Sequence, residues 1–315
     1  MARTHDSVVR ATHEVKVSAP AREIYRLLAD LDNWPWVFGP FVHAEVIGTD
    51  GVFERVGMWT TSGESVEHWV ALRRLDAGAL RIDFRPEEPS SPLASMERSW
   101  VVEPLSEGES LVRLLHSYTL VDDSAAARAA TTGVIDSIAD GETAAVKSAA
   151  ELLTEAADLR VVVTDTVHVA GTAEAVFEVL YQVRDWPELL PHVTRAEVVQ
   201  DADGLQLVEI DTVESSGAVL KMKTARAGIG GRAIVYKQLV LPPIGRSHHV
   251  RWDITPTAQG VTVTSRQTVI VKRSGIEVLL GSGKGLDEAT AFVRRELSGK
   301  VRMILDRAKE FVEAG

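Results

Sequence analysis

The 315-residue chain contains no cysteine. Disulfide bonds, thiolate metal sites and cysteine nucleophiles are therefore excluded, and a reducing compartment such as the cytoplasm is favoured. Aromatic residues make up only 6% of the chain. A run of about 18 apolar residues, the length of a membrane-spanning helix, is also missing. The N-terminal stretch "MARTHDSVVR" lacks the apolar segment of a signal peptide, so neither a membrane span nor a leader is predicted.

The chain has fewer basic than acidic residues, 34 Lys and Arg against 45 Asp and Glu, and its net charge is −11. Nucleic acids and anionic membrane surfaces are bound by basic patches, so both are disfavoured as partners. The remaining composition, 45% hydrophobic and 25% charged, is typical of a globular protein. At this length we expect two domains of roughly 150 residues each.

An internal repeat is the most informative large-scale feature of the chain. The stretch "VKVSAPAREIYRLLADLDNWP" aligns without a gap with "VHVAGTAEAVFEVLYQVRDWP", and Trp34 then matches Trp186 at an offset of 152. Chance rarely maintains such a register over a long stretch. We predict two copies of one domain, covering residues 1–158 and 159–315.

Both copies show the same order of predicted elements. A strand and a helix precede a short Trp-Pro segment, several alternating stretches separated by turn residues, and a long amphipathic helix. The long helices are predicted at about 126–157 and 285–313. Many short strands between helices indicate an α+β fold in which a curved antiparallel sheet wraps around one helix. Such an arrangement is expected to enclose an internal cavity, where small ligands bind.

The stretch "HWVALRRLD" raises a question about buried charge. Alternation along a strand places Trp69, Ala71 and Arg73 on one face, and the large ring predicts that this is the core face. An unpaired guanidinium inside a core costs several kcal/mol or more. Two alternatives remain open: a structural salt bridge at a sheet edge, or a polar cavity that binds an oxygen-rich ligand.

Three segments, "APAREIYRLLADLDNWPWVF", "HWVALRR" and "SMERSWVV", resemble the aromatase/cyclases of bacterial type II (aromatic) polyketide synthesis. These have the Bet v1/START-like helix-grip fold, and the tandem arrangement is similar to the didomain members. The resemblance implies first-ring closure by an intramolecular aldol reaction, between C7 and C12, followed by dehydration and aromatisation of a ketoreduced poly-β-ketone.

The same resemblance implies the setting of the reaction. The substrate would be bound to an acyl carrier protein, and the partners would be a minimal polyketide synthase and a ketoreductase. A cytoplasmic location follows, and neither a metal nor an organic cofactor is required.

By this resemblance, Arg73 projects into the pocket and contacts polyketide oxygens, and His116 on the last strand is the pocket histidine. Glu142 is the matching carboxylate on the long helix, and the apolar stripe of that helix, extended back through Ile138, selects the same residue. Arg73 would polarise a carbonyl. His116, able to titrate near neutrality, would transfer protons, with Glu142 orienting it or sharing that work. The plainer alternatives are a structural ion pair, a hydrogen-bonded core histidine and a solvated helix residue.

Aromatic side chains are expected to form the walls of the pocket, because five of the seven tryptophans fall in the first copy. Individually, such residues are most often core. The predicted substrate-binding residues are Trp34, Phe38, Phe41, Trp59, Trp69, Trp100, Tyr118 and, in the second copy, Arg226.

Catalysis is expected in the first copy, because the second offers Ser265 and Gln267 on the strand where the first has His116. The second copy would be structural or auxiliary. Two other classes of function stay open. A non-catalytic helix-grip carrier or chaperone for a hydrophobic ligand needs only an apolar cavity. An interaction module of the co-chaperone type would have a filled core.

Overall fold

The computed structural model describes residues 8–213 and 217–314. Each repeat contributes one seven-stranded sheet and one long helix. The strands of the first repeat are β1 Val9–Val17, β2 Phe41–Asp50, β3 Phe53–Ser62, β4 Ser65–Asp76, β5 Arg81–Pro86, β6 Leu93–Pro104 and β7 Ser110–Leu120. Its helices are α1 Ala21–Ala29, α2 Trp34–Val37 and α3 Ala125–Ala156.

The second repeat follows the same order of elements. Its strands are β8 Arg160–Val169, β9 Val193–Ala202, β10 Leu205–Val213, β11 Val219–Ile229, β12 Ala233–Gln238, β13 Gly245–Thr257 and β14 Gly260–Val271. Its helices are α4 Ala173–Tyr181, α5 Trp186–Leu189, α6 Ile276–Leu280 and α7 Leu286–Ala314. In the parts of the chain that the structure describes, no helix has the length and apolar character of a membrane span.

The two sheets have the same topology. Their strand orders are β1-β7-β6-β5-β4-β3-β2 and β8-β14-β13-β12-β11-β10-β9. In both, the first strand pairs antiparallel with the last, and the other strands follow one another in chain order. The predicted α+β fold, with one antiparallel sheet and one long C-terminal helix in each repeat, is confirmed. The enclosed cavity and the cytoplasmic location stay predictions.

The described chain divides into two compact units whose limits differ slightly from the two repeats. The first unit holds the chain up to Gly39, Ala44–Met58 and His68–Ala156. The second holds Pro40–His43, Trp59–Glu67 and the chain from Ala157 onward. Each unit thus contains one long helix, and the predicted boundary at residue 158 stays a prediction.

The first helix of each repeat forms where an amphipathic run follows an extended residue. In the first repeat the N-cap of α1 is Pro20, whose extended backbone starts the helix, and Glu23 lies in the first turn, where the helix dipole favours an acid. Ile24, Leu27 and Leu28 are buried at helical spacing. They hold α1 against the sheet, so its C-terminal end meets the strands at a defined place.

The last strand of the first sheet shows the clearest alternation. Along β7, residues from Ser110 to Leu120 are alternately buried and half-buried, and His116 is among the buried ones. The predicted inward face of this strand is therefore confirmed.

The inward stripe of α3 differs in part from the expectation. Ile135, Ala139 and Val146 are buried, and Glu142 is half-buried between them. Ile138, predicted to share this stripe, is 54% exposed. The buried positions advance by four, three and four residues, and Ile138 lies about 100° away from Ala139 around the helix. The prediction was wrong for Ile138 and right in turning Glu142 inward.

This stripe predicts different costs for two neighbouring isoleucines. Ile135→Ala should lower the free energy of unfolding by about 2–4 kcal/mol, because it leaves a cavity under α3. Ile138→Ala should change it by less than about 0.5 kcal/mol, because that side chain is mostly in solvent. Urea unfolding of both variants tests this, and equal costs would contradict the stripe.

Candidate active site

The inner face of the first sheet carries a row of residues that lie opposite one another on neighbouring strands. Arg73 on β4 pairs with Phe84 on β5, which pairs with Arg98 on β6, which pairs with His116 on β7. Residues directly opposite in a sheet point to the same face. The three strand spacings between Arg73 and His116 amount to about 14 Å, so these two predicted residues share a face without touching.

Arg73 is buried, as predicted, and each nitrogen of its guanidinium contacts the protein. Its Nε lies 2.8 Å and its Nη2 lies 2.7 Å from Oε2 of Glu54, and Nη1 donates to the carbonyl oxygen of Ala29 at 2.8 Å. Ala29 is the last residue of α1, where a cation also meets the negative end of the helix dipole. Arg73 therefore joins α1 to the sheet in a structural salt bridge, on the inner strand β4 and not at the sheet edge that the sequence alternative assumed.

The second repeat repeats this arrangement with one change. Nη1 of Arg226 donates to Oε1 of Gln206 at 2.9 Å, and Nη2 donates to the carbonyl oxygen of Leu180 at the end of α4 at 2.8 Å. The guanidinium also lies over the Trp186 ring, 5.3 Å from its centroid. With neutral partners only, burial lowers the pKa of Arg226 to about 10. Gln206 thus stands where the first repeat has Glu54.

A polar cluster lies inside the first repeat, between the sheet and α3. Nε2 of His13 on β1 is 3.0 Å from Oδ1 of Asp136 on α3. An ion pair joins Nη2 of Arg98 to Oε2 of Glu142 on the same helix. The rings of His13 and His116 meet edge to face, with centroids 5.6 Å apart. The structure therefore brings His116 and Glu142 to one place, through Arg98 and not through Arg73.

Three buried atoms of this cluster have no hydrogen-bond partner in the part of the chain that the structure describes. Within the described chain, Nδ1 of His13, Nε of Arg98 and Nδ1 of His116 are buried and make no hydrogen bond. Buried polar atoms are nearly always paired, and groups left unpaired inside a protein often belong to functional sites. Three such atoms in one cluster are suited to a polar ligand.

His116 is neutral in this environment. Burial lowers the pKa of His116 to about 3, with smaller contributions from the charges of Arg98 and His13. The expectation that His116 titrates near neutrality is therefore not met in the structure. A neutral imidazole still carries one N–H donor and one acceptor nitrogen.

Some of the predicted aromatic walls come together beside the row. Trp34 contacts Phe38 and Phe84, with ring centroids 5.5 and 5.3 Å apart, and Phe38 stacks on Trp100 at 6.3 Å. All four rings are buried in the first unit. Phe84 was not predicted, although it lies between Arg73 and Arg98 in the row.

Three predicted wall residues lie elsewhere. Trp59 packs in an apolar cluster of the second unit that includes Leu205 and Ala225. It is five residues from Glu54 on β3 and so faces the opposite side of the sheet. Phe41 is buried in the same unit, and its carbonyl oxygen accepts a hydrogen bond from Lys237 at 3.1 Å.

Trp69 is 39% exposed, so the buried face of β4 is limited to Ala71 and Arg73 at this point. The sequence analysis extended the buried part of this face to Trp69, because it took the large ring as the marker of the core face. Tyr118, by contrast, is buried on the inner face, and its hydroxyl lies 2.8 Å from that of Thr132 on α3.

The second repeat lacks the polar cluster at the same positions. Its row is Arg226, Tyr236, Val250 and Gln267, each opposite the next. Val250 takes the place of Arg98, and Gln267 takes the place of His116. Gln267 is itself engaged, since its amide contacts His248 and the carbonyl oxygen of Leu297. Among the described residues, the first row therefore has Arg98 and His116 where the second has Val250 and Gln267.

Sequence reasoning missed Arg98, His13 and Glu54. Arg98 alternates with Trp100 in "MERSW", and His13 interrupts the apolar face of "VRATHEVKV". The rule that singled out Arg73, a polar residue on an otherwise apolar strand face, would have found both. Glu54 had no such signal, because its partner is known only from the pairing of β3 with β4.

Two seven-stranded sheets, each with a long helix, and one polar interior define a tandem helix-grip protein. Its sequence matches the family model for polyketide cyclase/dehydrase and lipid transport over residues 8–151 and 160–310. The chain belongs to this polyketide cyclase/dehydrase and lipid transport family, as its resemblance to the aromatase/cyclases predicted.

Individual relatives cover nearly the whole chain. It is 32% identical over 305 residues to the granaticin polyketide synthase bifunctional cyclase/dehydratase of Streptomyces violaceoruber, covering 96% of this chain and 94% of that protein. The crystal structure of the di-domain ARO/CYC BexL from the BE-7585A biosynthetic pathway matches with a TM-score of 0.92 and 36% identity, over 98% of this chain and 99% of that one. The di-domain ARO/CYC StfQ from the steffimycin biosynthetic pathway matches with a TM-score of 0.88 and 32% identity, over 96% and 98%.

The comparison of Glu54 with Gln206 predicts which substitutions the Arg73 site tolerates. Glu54→Gln should cost less than about 1 kcal/mol of unfolding free energy, because Gln206 holds the equivalent arginine through the same kind of contact. Glu54→Ala should cost about 1–3 kcal/mol, because guanidinium donors lose their acceptor. Denaturant unfolding distinguishes the two, and a Gln variant as unstable as the Ala variant would show that Arg73 needs the charge.

Burial of neutral His116 predicts a pH dependence of stability. The unfolded histidine titrates near 6.5 and the folded one near 3, so the unfolded state binds more protons between these values. Stability from this group is therefore present above pH 6.5 and is lost as the pH falls through that window, by up to about 1.4 kcal/mol per pH unit. Urea unfolding from pH 7 to pH 5 should show a smaller loss for His116→Gln than for the wild type. Equal losses would argue against a buried neutral His116.

Proposed function

We propose that this chain is an aromatase/cyclase that closes the first ring of a ketoreduced poly-β-ketone by an aldol reaction and then removes water from it. The observation that supports this most directly is the polar cluster of the first repeat, with three buried atoms that make no hydrogen bond within the described chain. A poly-β-ketone presents carbonyl oxygens, which accept hydrogen bonds, at every second carbon and acidic C–H groups between them, so one substrate can contact several of these atoms.

The first chemical task is to polarise the carbonyl that is attacked. Charge develops on its oxygen in the transition state, and fixed donors at that oxygen stabilise the charge. Arg98 is a permanent cation at this place, and Glu142 holds its guanidinium by an ion pair. Neutral His116 can add a hydrogen bond to the same oxygen, since an imidazole without charge still donates one N–H.

This assignment gives Arg98 the role first expected of Arg73. The donors of Arg73 are bound to Glu54 and to Ala29. These contacts hold the Arg73 guanidinium as a link between α1 and the sheet. Arg98 differs in having a buried Nε that makes no hydrogen bond among the described residues.

The second task is to hold the extended chain in a folded shape. Trp34, Phe38, Phe84 and Trp100 form one continuous set of ring contacts in the first unit. Flat aromatic faces favour a flat, partly conjugated product. We assign substrate contact to these rings, to Tyr118 and to the polar cluster, with catalysis in the first repeat and an auxiliary or structural role for the second.

The setting of the reaction extends this proposal. The names of the relatives place them in polyketide synthases. We propose a substrate carried on an acyl carrier protein and supplied by a minimal polyketide synthase and a ketoreductase in the cytoplasm. Closure between C7 and C12, and a reaction without metal or organic cofactor, are part of the same proposal.

The proposal is tested by product analysis of a minimal synthase and ketoreductase reconstituted with and without this protein. The wild type should shift the products to the C7–C12 ring-closed aromatic form. His116→Leu should reduce that yield by about 10²-fold, because a donor to the reacting oxygen is lost. Gln267→Leu, at the matching position of the second repeat, should leave the yield unchanged, and the melting temperature of each variant checks its fold.

The outcomes separate the competing functions. A carrier or chaperone would raise the recovery of the uncyclised chain without changing its products, and His116→Leu would then behave as the wild type. An effect of Gln267→Leu equal to that of His116→Leu would move the reaction out of the first repeat.

A further inference from the structure

His13 and Asp136 form a histidine–carboxylate pair that no role described so far explains. Nε2 of His13 lies 3.0 Å from Oδ1 of Asp136. The side chain of His13 is 11% exposed and that of Asp136 is 46% exposed. The pair thus reaches from the interior of the first repeat, at the edge strand β1, to solvent on the side of α3.

The pairing determines which ring nitrogen of His13 carries a proton. An ionised carboxylate only accepts hydrogen bonds, so the contact with Asp136 requires a proton on Nε2. Nδ1 of the neutral ring is then an acceptor with a free electron pair. That atom is buried and makes no hydrogen bond to any described residue. A carboxylate that orients one nitrogen while the other stays free is the arrangement of an imidazole general base.

The free nitrogen lies beside the groups that bind oxygen in the proposed mechanism. The His13 ring meets the His116 ring edge to face at 5.6 Å, and His116 lies opposite Arg98 in the sheet. The attacking carbon of the ring closure carries acidic hydrogens, because it lies next to other carbonyls of the chain. It bonds to the carbonyl carbon whose oxygen Arg98 and His116 hold, so it must lie beside these groups, where the His13 ring also lies.

We infer that Nδ1 of His13 is the general base of the ring closure and that Asp136 is its positioning residue. This inference rests on the proposed function and adds the group that the mechanism lacked. Neither Arg98, a permanent cation, nor Glu142, its ion-pair partner, is free to take a proton.

The proton and electron movements balance without another reactant. His13 Nδ1 removes a proton from the attacking carbon, and the electron pair of that C–H bond forms the new C–C bond. The π electrons of the accepting carbonyl move to its oxygen, which Arg98 and His116 stabilise and which then takes a proton from solvent. In the dehydration, the imidazolium of His13, stabilised by Asp136, returns its proton to the hydroxyl, which leaves as water. A neighbouring carbon loses a proton to solvent, and the electron pair of that C–H bond forms the new double bond.

Solvent reaches the pair at its carboxylate, because the side chain of Asp136 is 46% exposed. A groove of about 400 Å³ lies farther along the same two elements, between β1 and α3, and its lining includes Glu14, Val15, Asp140 and Lys147.

The second repeat offers a matched control at the same place in the fold. His13 lies opposite Leu114, two residues before His116, and Asp165 lies opposite Ser265, two residues before Gln267. Asp165 is bound to Ser298 and Arg302 of α7, both at 2.6 Å. This position in the second repeat therefore ties strand to helix without a histidine.

The test compares the pH–rate profile of ring closure for the wild type, His13→Gln, Asp136→Asn and Asp165→Asn in the reconstituted synthase. His13→Gln should lower the rate by about 10²-fold or more and remove the acid limb of the profile. Asp136→Asn should move that limb to lower pH and reduce the plateau, because the imidazolium loses the carboxylate that stabilises it. Asp165→Asn should leave the profile unchanged. The groups facing His13 are His116 on β7, Arg98 on β6, and Asp136 and Glu142 on α3. The profile of His116→Gln therefore shows whether the acid limb belongs to His13 or to His116.

Two results would overturn the inference. One is a wild-type rate and profile for folded His13→Gln. The other is a ring ¹⁵N spectrum in which His13 carries its proton on Nδ1 instead of Nε2, which needs no activity measurement. If the wild type itself produces no ring-closed product, the proposed function and this inference fall together. If the wild type forms the ring-closed product and the His13 and Asp136 variants retain full activity, the proposed function stands and the base lies elsewhere.

Discussion

A buried guanidinium bound to the carboxyl end of a helix holds each repeat together. In the first repeat the contact joins Arg73 to Ala29, and in the second it joins Arg226 to Leu180. A cation at this end of a helix satisfies carbonyl oxygens that have no partner within the helix and meets a favourable dipole. The interaction places the first helix of each repeat against the sheet. The position of the aromatic residues that follow this helix in the first repeat depends on it.

The two repeats share this framework and differ in what lies beyond it. Along the inner row, the first repeat has a cation and a histidine where the second has Val250 and Gln267. The first repeat therefore keeps buried polar atoms that the described chain leaves unpaired, while Gln267 is bound to its neighbours. An apolar or fully paired interior stabilises a fold, and an incompletely paired one is suited to bind a polar molecule. The proposed division of roles rests on this difference along the row and not on the repeats as wholes, because Oδ2 of Asp165 and the hydroxyl of Tyr181 in the second repeat also make no hydrogen bond within the described chain.

The sequence was sufficient for the repeat, the antiparallel sheets, the long helices, the inward face of β7 and the inward direction of Glu142 on α3, since all of these follow from periodicity. It also identified the family through short motifs. It did not reveal what Arg73 binds, because Glu54 becomes its neighbour only when β3 and β4 pair. Trp59 was predicted to line the pocket, but it lies on the other side of the sheet. An aromatic ring in a strand predicts burial, but it does not tell which side of the sheet is the interior of the pocket.

The edge position of β1 has a consequence for how the first repeat assembles on the ribosome. β1 begins at Val9 and pairs with β7, in which Tyr118 lies opposite Val9. More than a hundred residues must therefore be synthesised after the start of β1 before its partner strand is complete. The contact of His13 with Asp136 requires a still longer chain. Pairings of such sequence separation form late, because loop closure must precede them. The polar cluster of the first repeat, the proposed active site, is thus completed late in the folding of its own repeat, and a nascent chain that lacks α3 has the strands of the sheet without that cluster.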